Sequence, residues 1–325
     1  MNLNLFCLYE IELQDRLASS ILPRYYQKNK IINRDKYLFG IGNIPILLVA
    51  HLDTVHIVKP SLQDLIFKNE ILSCLHKEMG IGADDRAGVC AIIEILQSGW
   101  RPSVLFCQEE EIGCVGAKKA GEELQLEIPE IIDGLQFMIE LDRCGREDAV
   151  FYDCGNKEFQ KMILSYGFEE NYGSFSDISE LSPAWDLASV NLSIGYSGAH
   201  TKKETLDMIA YRATIDKVKK ILSGNHSKIY DYQELRWDRD WLDDYNRYYN
   251  RYRECAYGGS KSKIKYSGYS FFADSELLQD YYGGTQEGWN DWLKANESDL
   301  DQFLEKMILW YAEEDLNKKQ LAQVK

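Results

Sequence analysis

The sequence lacks an apolar run long enough to cross a membrane. No stretch of 18 or more apolar residues occurs in the 325-residue chain, although about 20 are needed to span a bilayer. The first 16 residues also lack the basic start and apolar centre of a secretion signal, and carry Glu10, Glu12 and Asp15 instead. We therefore expect a cytoplasmic protein with no membrane partner.

Positive charge is also scarce. The chain has 37 lysines and arginines against 52 aspartates and glutamates, which gives a formal charge of −15. Such a chain would be repelled by the phosphate backbone, so nucleic acid is not an expected partner.

Closely spaced cysteine pairs are missing as well. The eight cysteines include no CxxC pair, and most lie within or beside apolar runs. A reduced cysteine in such a position acts as a small hydrophobic residue. A zinc site built from cysteines is therefore not expected. The scattered positions of the cysteines are consistent with reduced thiols in the cytoplasm.

Residues 1–224 alternate short apolar runs with helical patterns. The runs predict strands at Ile44–Ala50, Ser103–Cys107, Phe137–Leu141, Ala149–Cys154 and Ser189–Ile194. The helical patterns cover Leu3–Leu22, Ala87–Leu96, Cys114–Leu124 and Thr205–Leu222. This alternation predicts an α/β domain with a mixed, mostly parallel central sheet and helices on both faces.

Residues 225–325 differ from this region in composition and in hydrophobic pattern. They contain no comparable strand run and are rich in tyrosine, tryptophan, aspartate and lysine. Aromatic residues at helical spacing predict an amphipathic helix over 231–257, and a further helix is predicted over 289–312. This mainly helical extension is either a cap on the domain or an element that forms a homo-oligomer or binds a partner.

Polar residues fall where the predicted strands end. His51 and Asp53 follow the first strand, Glu109–Glu111 follow the second, Asp142 follows the third, and His200 follows the last. Ligands bind outside the carboxyl ends of strands in open α/β sheets, so these side chains should meet at one edge. Neutral histidine and ionised carboxylates are the usual ligands of catalytic zinc. Two histidines and three carboxylates would fit a pair of metal ions that share one carboxylate.

Five motifs in residues 1–224 resemble those of the co-catalytic zinc exopeptidases. This family contains tripeptide aminopeptidase, carboxypeptidase G-like enzymes and bacterial leucine aminopeptidases. The motifs are HLDTV at 51–55, GADDRAG at 82–88, EEIG at 110–113, the looser match ELDR at 140–143, and NLSIGYSGAHTKKE at 191–204.

The resemblance implies the zinc-exopeptidase fold, which is phosphorylase/hydrolase-like, and a centre of two metal ions. Its ligands would be His51 and Asp142 for one ion, Glu111 and His200 for the other, and Asp84 as the bridge. Glu140 is an alternative to Asp142, because side chains two apart on a strand share a face. Zinc is the expected ion, and cobalt or manganese would fit the same ligands.

The resemblance also implies roles around these ligands. Asp53 would accept a hydrogen bond from His51 and fix its tautomer. Glu110 would be the general base, taking a proton from a bridging water and passing it to the leaving amine. The Asp84–Asp85 peptide bond is expected to be cis.

The expected activity is that of an aminopeptidase or dipeptidase acting on short peptides. Two alternatives remain open: a deacylase of N-acyl amino acids at the same site, and a non-catalytic relative whose extension binds a partner. Only 58 residues separate Asp142 from His200, and 33 separate His51 from Asp84. Both gaps are too short for an inserted lid domain, so residues 1–224 are expected to form a lidless catalytic domain.

Overall fold

The computed structural model describes residues 1–76, 79–173, 175–224 and 227–235. All of these belong to one compact unit, Met1–Ser260, and a second unit, Lys261–Lys325, lies outside the described residues. The predicted extension is therefore described only over 227–235. The helices predicted at 231–257 and 289–312 fall outside the described residues, apart from 231–235.

The described strands form two sheets. In chain order the strands are β1 Ile31–Asn33, β2 Tyr37–Gly40, β3 Ile44–His51, β4 Leu65–Lys68, β5 Ile71–Cys74, β6 Pro102–Cys107, β7 Phe137–Arg143, β8 Asp148–Val150, β9 Glu169–Asn171, β10 Ser189–Ser193, β11 Tyr196–Ser197 and β12 Thr205–Asp207. The large sheet has the order β1-β2-β6-β3-β7-β10-β8-β9, and the small sheet has the order β11-β12-β5-β4.

Seven α-helices accompany these strands in the described part of the chain. They are α1 Glu10–Arg16, α2 Ala83–Gln97, α3 Val115–Glu127, α4 Pro129–Ile132, α5 Lys157–Leu164, α6 Asp177–Ala184 and α7 Met208–Leu222. None of the helices described has both the length and the apolar character needed to cross a lipid bilayer.

Strand β3 shows why the central strands read as continuous apolar runs. Side chains alternate between the two faces of a strand. Leu47 and Val49 join a buried cluster with residues of α3 and α6, while Leu48 and Ala50 join a cluster with residues of α2 and α7. Both faces are thus covered by helices, which confirms the predicted fold class.

The large sheet brings four strand ends to one edge. Strand β3 pairs in parallel with β6 and β7, and β7 pairs in parallel with β10. The carboxyl ends of β6, β3, β7 and β10 therefore lie side by side. The strands on either side, β2 and β8, run antiparallel to their neighbours in this group.

The single opening helix predicted over Leu3–Leu22 is wrong. The segment begins with a 3₁₀ turn at Leu3–Cys7, continues as α1, and ends in a π-helical turn at Leu17–Ile21. Tyr9 is extended, and its N–H donates to the Glu12 carboxylate at 3.0 Å. In a continuous helix the Tyr9 N–H would bond to a carbonyl one turn earlier. Here the Glu12 side chain satisfies it instead, so a new helix begins at Glu10.

Two other predicted elements are shorter than expected. The helix predicted from Thr205 begins at Met208, since Asp207 accepts the N–H groups of Ile209 and Ala210 and caps the helix. The preceding residues form β12 instead. The strand predicted over Ala149–Cys154 ends at Val150, and the Cys154 N–H closes a turn onto the Phe151 carbonyl at 2.9 Å.

Residues 227–235 lie at the edge opposite these carboxyl ends. The Tyr230 N–H donates to the Gln136 carbonyl at 2.9 Å, and the Tyr230 carbonyl accepts the Ala188 N–H at 2.8 Å. Gln136 and Ala188 directly precede β7 and β10. The Tyr230 ring packs on Phe137 and Phe159, with ring centroids 6.0 and 5.5 Å away. This segment therefore completes the core of the described unit.

We predict that Tyr230→Ala lowers the free energy of unfolding by about 2 kcal/mol, because it removes a ring from this aromatic cluster. The neighbouring change Ile229→Ala is the control, since Ile229 is 52% exposed and its loss should cost under about 0.5 kcal/mol. Urea denaturation of both variants measures the difference. Equal stabilities would contradict the packing role of residues 227–235.

Candidate metal centre

His51 is the last residue of β3 and is fully buried. Its Nδ1 lies 3.2 Å from Asp53 Oδ1, while its Nε2 lies 3.0 Å from Asp84 Oδ1 and 3.5 Å from Asp142 Oδ1. If Nδ1 donates its hydrogen to Asp53, the Nε2 lone pair faces the other two carboxylates. This is the orientation of a histidine held for metal binding.

Asp84 lies between the two predicted histidine ligands. Its Oδ1 contacts His51, and its Oδ2 lies 3.2 Å from His200 Nε2. His200 Nε2 is also 3.0 Å from Glu111 Oε2. The five predicted ligand residues thus form one continuous series of contacts, in the order Asp142, His51, Asp84, His200 and Glu111.

The spacing of these atoms fits shared ligation. Ligand atoms around a tetrahedral zinc ion are about 3.4 Å apart when each bond is about 2.1 Å. The nitrogen–oxygen distances in the series run from 3.0 to 3.5 Å. Two groups have ligand atoms that all lie within 4.8 Å of one another: His51, Asp84 and Glu111, and His51, Asp85 and Asp142. The described chain therefore contains a His/Asp/Glu cluster that could hold a metal ion.

The electrostatics of the cluster favour positive charge. Burial opposes charging of His200, but hydrogen bonds with Asp84 and Glu111 outweigh it and raise the pKa of His200 to about 11. Burial likewise opposes the charged form of His51, yet Asp142, Asp53 and Asp84 raise the pKa of His51 well above its ordinary value. A divalent cation would meet the same carboxylates that hold these protons.

The turn that presents Asp84 departs from helical geometry. Gly82 has a φ of 67°, in the left-handed region that glycine adopts without strain. Asp84 and Asp85 are non-helical, and the peptide bond between them is cis, as predicted. Asp85 anchors the turn, since its carboxylate accepts the His51 N–H at 3.2 Å and the Gly88 N–H at 2.8 Å.

Asp53 links the first motif to the glutamate run. Besides the His51 ring, it accepts the Glu110 N–H on Oδ1 and the Glu111 N–H on Oδ2, both at 3.0 Å. Burial alone would raise the pKa of Asp53, but these donors lower it below its ordinary value. An ionised Asp53 therefore fixes the His51 ring and the backbone of both glutamates.

A β-bulge determines where Asp142 points. Between Glu140 and Arg143, β7 has two residues opposite a single residue of β10. The Asn191 side chain satisfies the extra residue, because its Oδ1 accepts the Asp142 N–H at 2.9 Å and its Nδ2 donates to the Asp142 carbonyl at 3.0 Å. The Tyr196 hydroxyl donates to Asp142 Oδ1 at 3.2 Å. A bulge re-aims a side chain, so Asp142 and Glu140 do not occupy equivalent positions.

Glu140 belongs to a group of buried acids behind the cluster. It is fully buried and accepts a hydrogen bond from the Ser176 hydroxyl. Burial raises the pKa of Asp177 to about 7. Burial also raises the pKa of Glu110 well above its ordinary value, with Asp142 and Asp177 adding to the effect and His51 opposing it. These acids therefore favour their protonated forms.

Sequence reasoning missed four side chains that shape the site: Asp85, Asn191, Tyr196 and Glu204. The sequence did offer a signal for Asn191: it lies in a predicted buried strand, where a side-chain amide needs a hydrogen-bond partner. Glu204 ends the motif at 191–204, but the motif assigns it no role. Its contacts are with residues about 120 positions earlier in the chain, and no local pattern reports such a distance.

The fold is similar to those of several solved aminopeptidases. Aminopeptidase PepT from Bacillus cereus has a TM-score of 0.53 and 14% identity, over 68% of this chain and 95% of that chain. A TET aminopeptidase from a marine sediment archaeon of the Thaumarchaeota has a TM-score of 0.51 and 12% identity, over 69% and 95%. An aminopeptidase from the archaeon Desulfurococcus kamchatkensis has a TM-score of 0.50 and 12% identity, over 69% and 94%.

Sequence comparisons give no closer relationship. No family model matches the chain, and no curated protein is significantly similar to it. At identities of 12–14% the structural likeness establishes the fold alone. The chain has the aminopeptidase fold that its five motifs predict.

We predict that the protein binds close to two equivalents of zinc, and that His51→Ala and His200→Ala each bind less, because each removes a nitrogen ligand. His76→Ala is the control, since His76 is 58% exposed and contacts only Asp64 among the ion pairs described. Metal analysis after dialysis measures all four proteins. Full occupancy in both site variants would contradict the assignment.

Proposed function

We propose that this chain is a metal-dependent aminopeptidase or dipeptidase that cleaves short peptides. The proposal depends chiefly on one observation: a single carboxylate, that of Asp84, contacts two histidines through its two different oxygens. A carboxylate in this position is suited to bridge two cations. The fold of the solved aminopeptidases supports the same conclusion.

The contacts support a specific distribution of ligands. His51 and Asp142 would hold one ion, Glu111 and His200 would hold the other, and Asp84 would bridge them. Asp142 is preferred to Glu140 because its Oδ1 faces His51 at 3.5 Å, whereas Glu140 accepts a hydrogen bond from Ser176. Nitrogen and oxygen ligands of this kind suit zinc, and cobalt or manganese would also fit.

The protein side chains have distinct tasks in hydrolysis. Two bound cations would polarise the scissile carbonyl and make a water molecule more acidic. Glu110 accepts the proton of the attacking water and delivers it to the leaving amine, a role suited to a carboxyl group with a raised pKa. Asp53 keeps Glu110 in place by binding its backbone N–H.

The carboxyl groups of the site favour a substrate with a free amine. Eight carboxyl groups lie in or beside the cluster: Asp53, Asp84, Asp85, Glu110, Glu111, Glu140, Asp142 and Asp177. Burial raises the pKa of Glu110, Glu140 and Asp177, so these three contribute hydrogen-bond acceptors more than negative charge. Carboxyl oxygens of either kind can bind the ammonium group of a peptide, whereas the acylated nitrogen of an N-acyl amino acid carries no positive charge.

We predict that Glu110→Gln lowers kcat at least about 100-fold while the metal content is unchanged, because an amide cannot transfer the proton. Glu109→Gln is the matched control, since the Glu109 carboxylate is bound by Lys36 at 2.8 Å, away from the cluster. Peptide hydrolysis and metal analysis are measured on the same preparations. Wild-type turnover by the Glu110 variant would show that another group is the base.

We also predict that the zinc-loaded protein cleaves di- and tripeptides with a free amino terminus and leaves their N-acetylated counterparts intact. The reason is that the carboxyl oxygens described above can bind an ammonium group. A panel that pairs each free peptide with its acetylated form, together with N-acyl amino acids, measures this preference. Faster cleavage of the N-acyl amino acids would identify the protein as a deacylase instead.

A further inference from the structure

Glu204 lies four residues after His200 and is an enclosed carboxylate that faces none of the ligand atoms of the cluster. Its side chain has no solvent exposure. Oε2 accepts the Gly82 N–H at 2.6 Å, and Oε1 accepts the Asp84 N–H at 3.0 Å. Oε2 also lies 3.0 Å from His56 Nε2. His56 donates to this oxygen in the tautomer that carries its hydrogen on Nε2.

These three donors come from segments that carry different ligands. His56 lies five residues after His51, Gly82 and Asp84 form the turn of the bridging residue, and Glu204 belongs to the loop between β11 and β12 that carries His200. Segments within or next to the first, second and last motifs therefore meet at one carboxylate. A change in the position of Glu204 would change the distance between Asp84 and His200.

The ligands differ in how firmly the fold holds them. His51 and Asp142 belong to neighbouring central strands, β3 and β7. His200 lies in a loop, has a φ of 61° and has a side chain 40% exposed. The His200 loop is thus the part of the centre that most needs an additional anchor, and Glu204 joins it to the backbone of Asp84.

The site leaves little room around this anchor. A Cβ atom on Gly80 would lie 2.1 Å from His56 Nε2, so a larger residue at position 80 would displace the His56 ring. Without the Glu204 carboxylate, the N–H groups of Gly82 and Asp84 would be buried and unpaired. Leaving such buried donors unsatisfied is destabilising.

We infer that Glu204 is a positioning residue that sets the separation of Asp84 and His200 and so controls the second metal position, formed by Glu111 and His200. The inference rests on the proposed function, because it presumes a pair of ions. Glu204 touches neither ion nor substrate in this arrangement. It acts through the backbone of Asp84 and through the loop that it shares with His200.

The test is a stepwise zinc titration of metal-free protein in competition with a chromophoric chelator. In Glu204→Gln one oxygen becomes an amide NH₂, which opposes one of the two backbone donors. We expect the dissociation constant of the weaker zinc ion to rise about 10- to 100-fold, the range typical for residues that orient ligands. The tighter ion, held by the strand residues His51 and Asp142, should change little.

His56→Gln is a second variant that keeps both backbone contacts of Glu204. We expect it to weaken the second ion less than Glu204→Gln does. Glu122→Gln, at an exposed position of α3, is the control and should bind both ions as the wild type does. Thermal unfolding of the metal-free proteins accompanies the titration, because a general loss of structure would lower the melting temperature and weaken both ions alike.

The possible results separate this inference from the proposed function. Selective weakening of the second ion in Glu204→Gln supports the positioning role. Unchanged affinities, or equal weakening of both ions, would overturn it while leaving the two-ion centre in place. A wild-type protein that binds fewer than two ions would instead overturn the proposed function, whatever the variants do.

Discussion

The structure of the candidate centre depends on the position of one carboxylate. Asp84 meets His51 through Oδ1 at 3.0 Å and His200 through Oδ2 at 3.2 Å, although the two histidines lie 149 residues apart in the chain. Burial opposes ionisation of Asp84, but its contacts with the two histidines lower the pKa of Asp84 below its ordinary range. A charged group buried in this way is stable only while its partners stay in place. The surrounding fold therefore has to hold three separate segments in place.

Three further carboxylates, those of Asp53, Asp85 and Glu204, hold these segments in place by binding backbone N–H groups. Asp53 holds the N–H groups of Glu110 and Glu111, Asp85 holds that of His51, and Glu204 holds those of Gly82 and Asp84. Each contact fixes the main chain of a candidate ligand or of its neighbour. The Cα atom that carries the ligand side chain therefore has a defined position. Hydrogen bonds from N–H groups to charged acceptors are among the stronger ones in proteins. The acidic composition of the chain thus has a structural use as well as a chemical one.

Much of this arrangement was predictable from the sequence. The continuous apolar run at Ile44–Ala50 indicated a strand covered on both faces, and the position of His51 directly after it placed that residue at the carboxyl edge. The β-bulge beside Asn191 was not predictable, because it depends on how two strands pair rather than on either strand alone. The break before Glu10 was missed for a related reason: apolar spacing continues through Leu3–Leu22, and a side-chain cap at Tyr9 overrides it. Local periodicity reports what an element buries, and it does not report contacts between elements.

The structure also separates the three consecutive glutamates, which the motif alone does not. The carboxylate of Glu109 is 2.8 Å from the Lys36 ammonium group, a contact that directs it away from the cluster. The carboxylate of Glu111 lies 3.0 Å from His200 and so belongs with the candidate ligands. Glu110 has its backbone fixed by Asp53, as Glu111 does, and in addition has a side chain whose pKa is raised by burial and by neighbouring carboxyl groups. A proton carrier needs a fixed position and a proton affinity higher than that of an ordinary carboxylate, and of the three glutamates Glu110 meets both conditions.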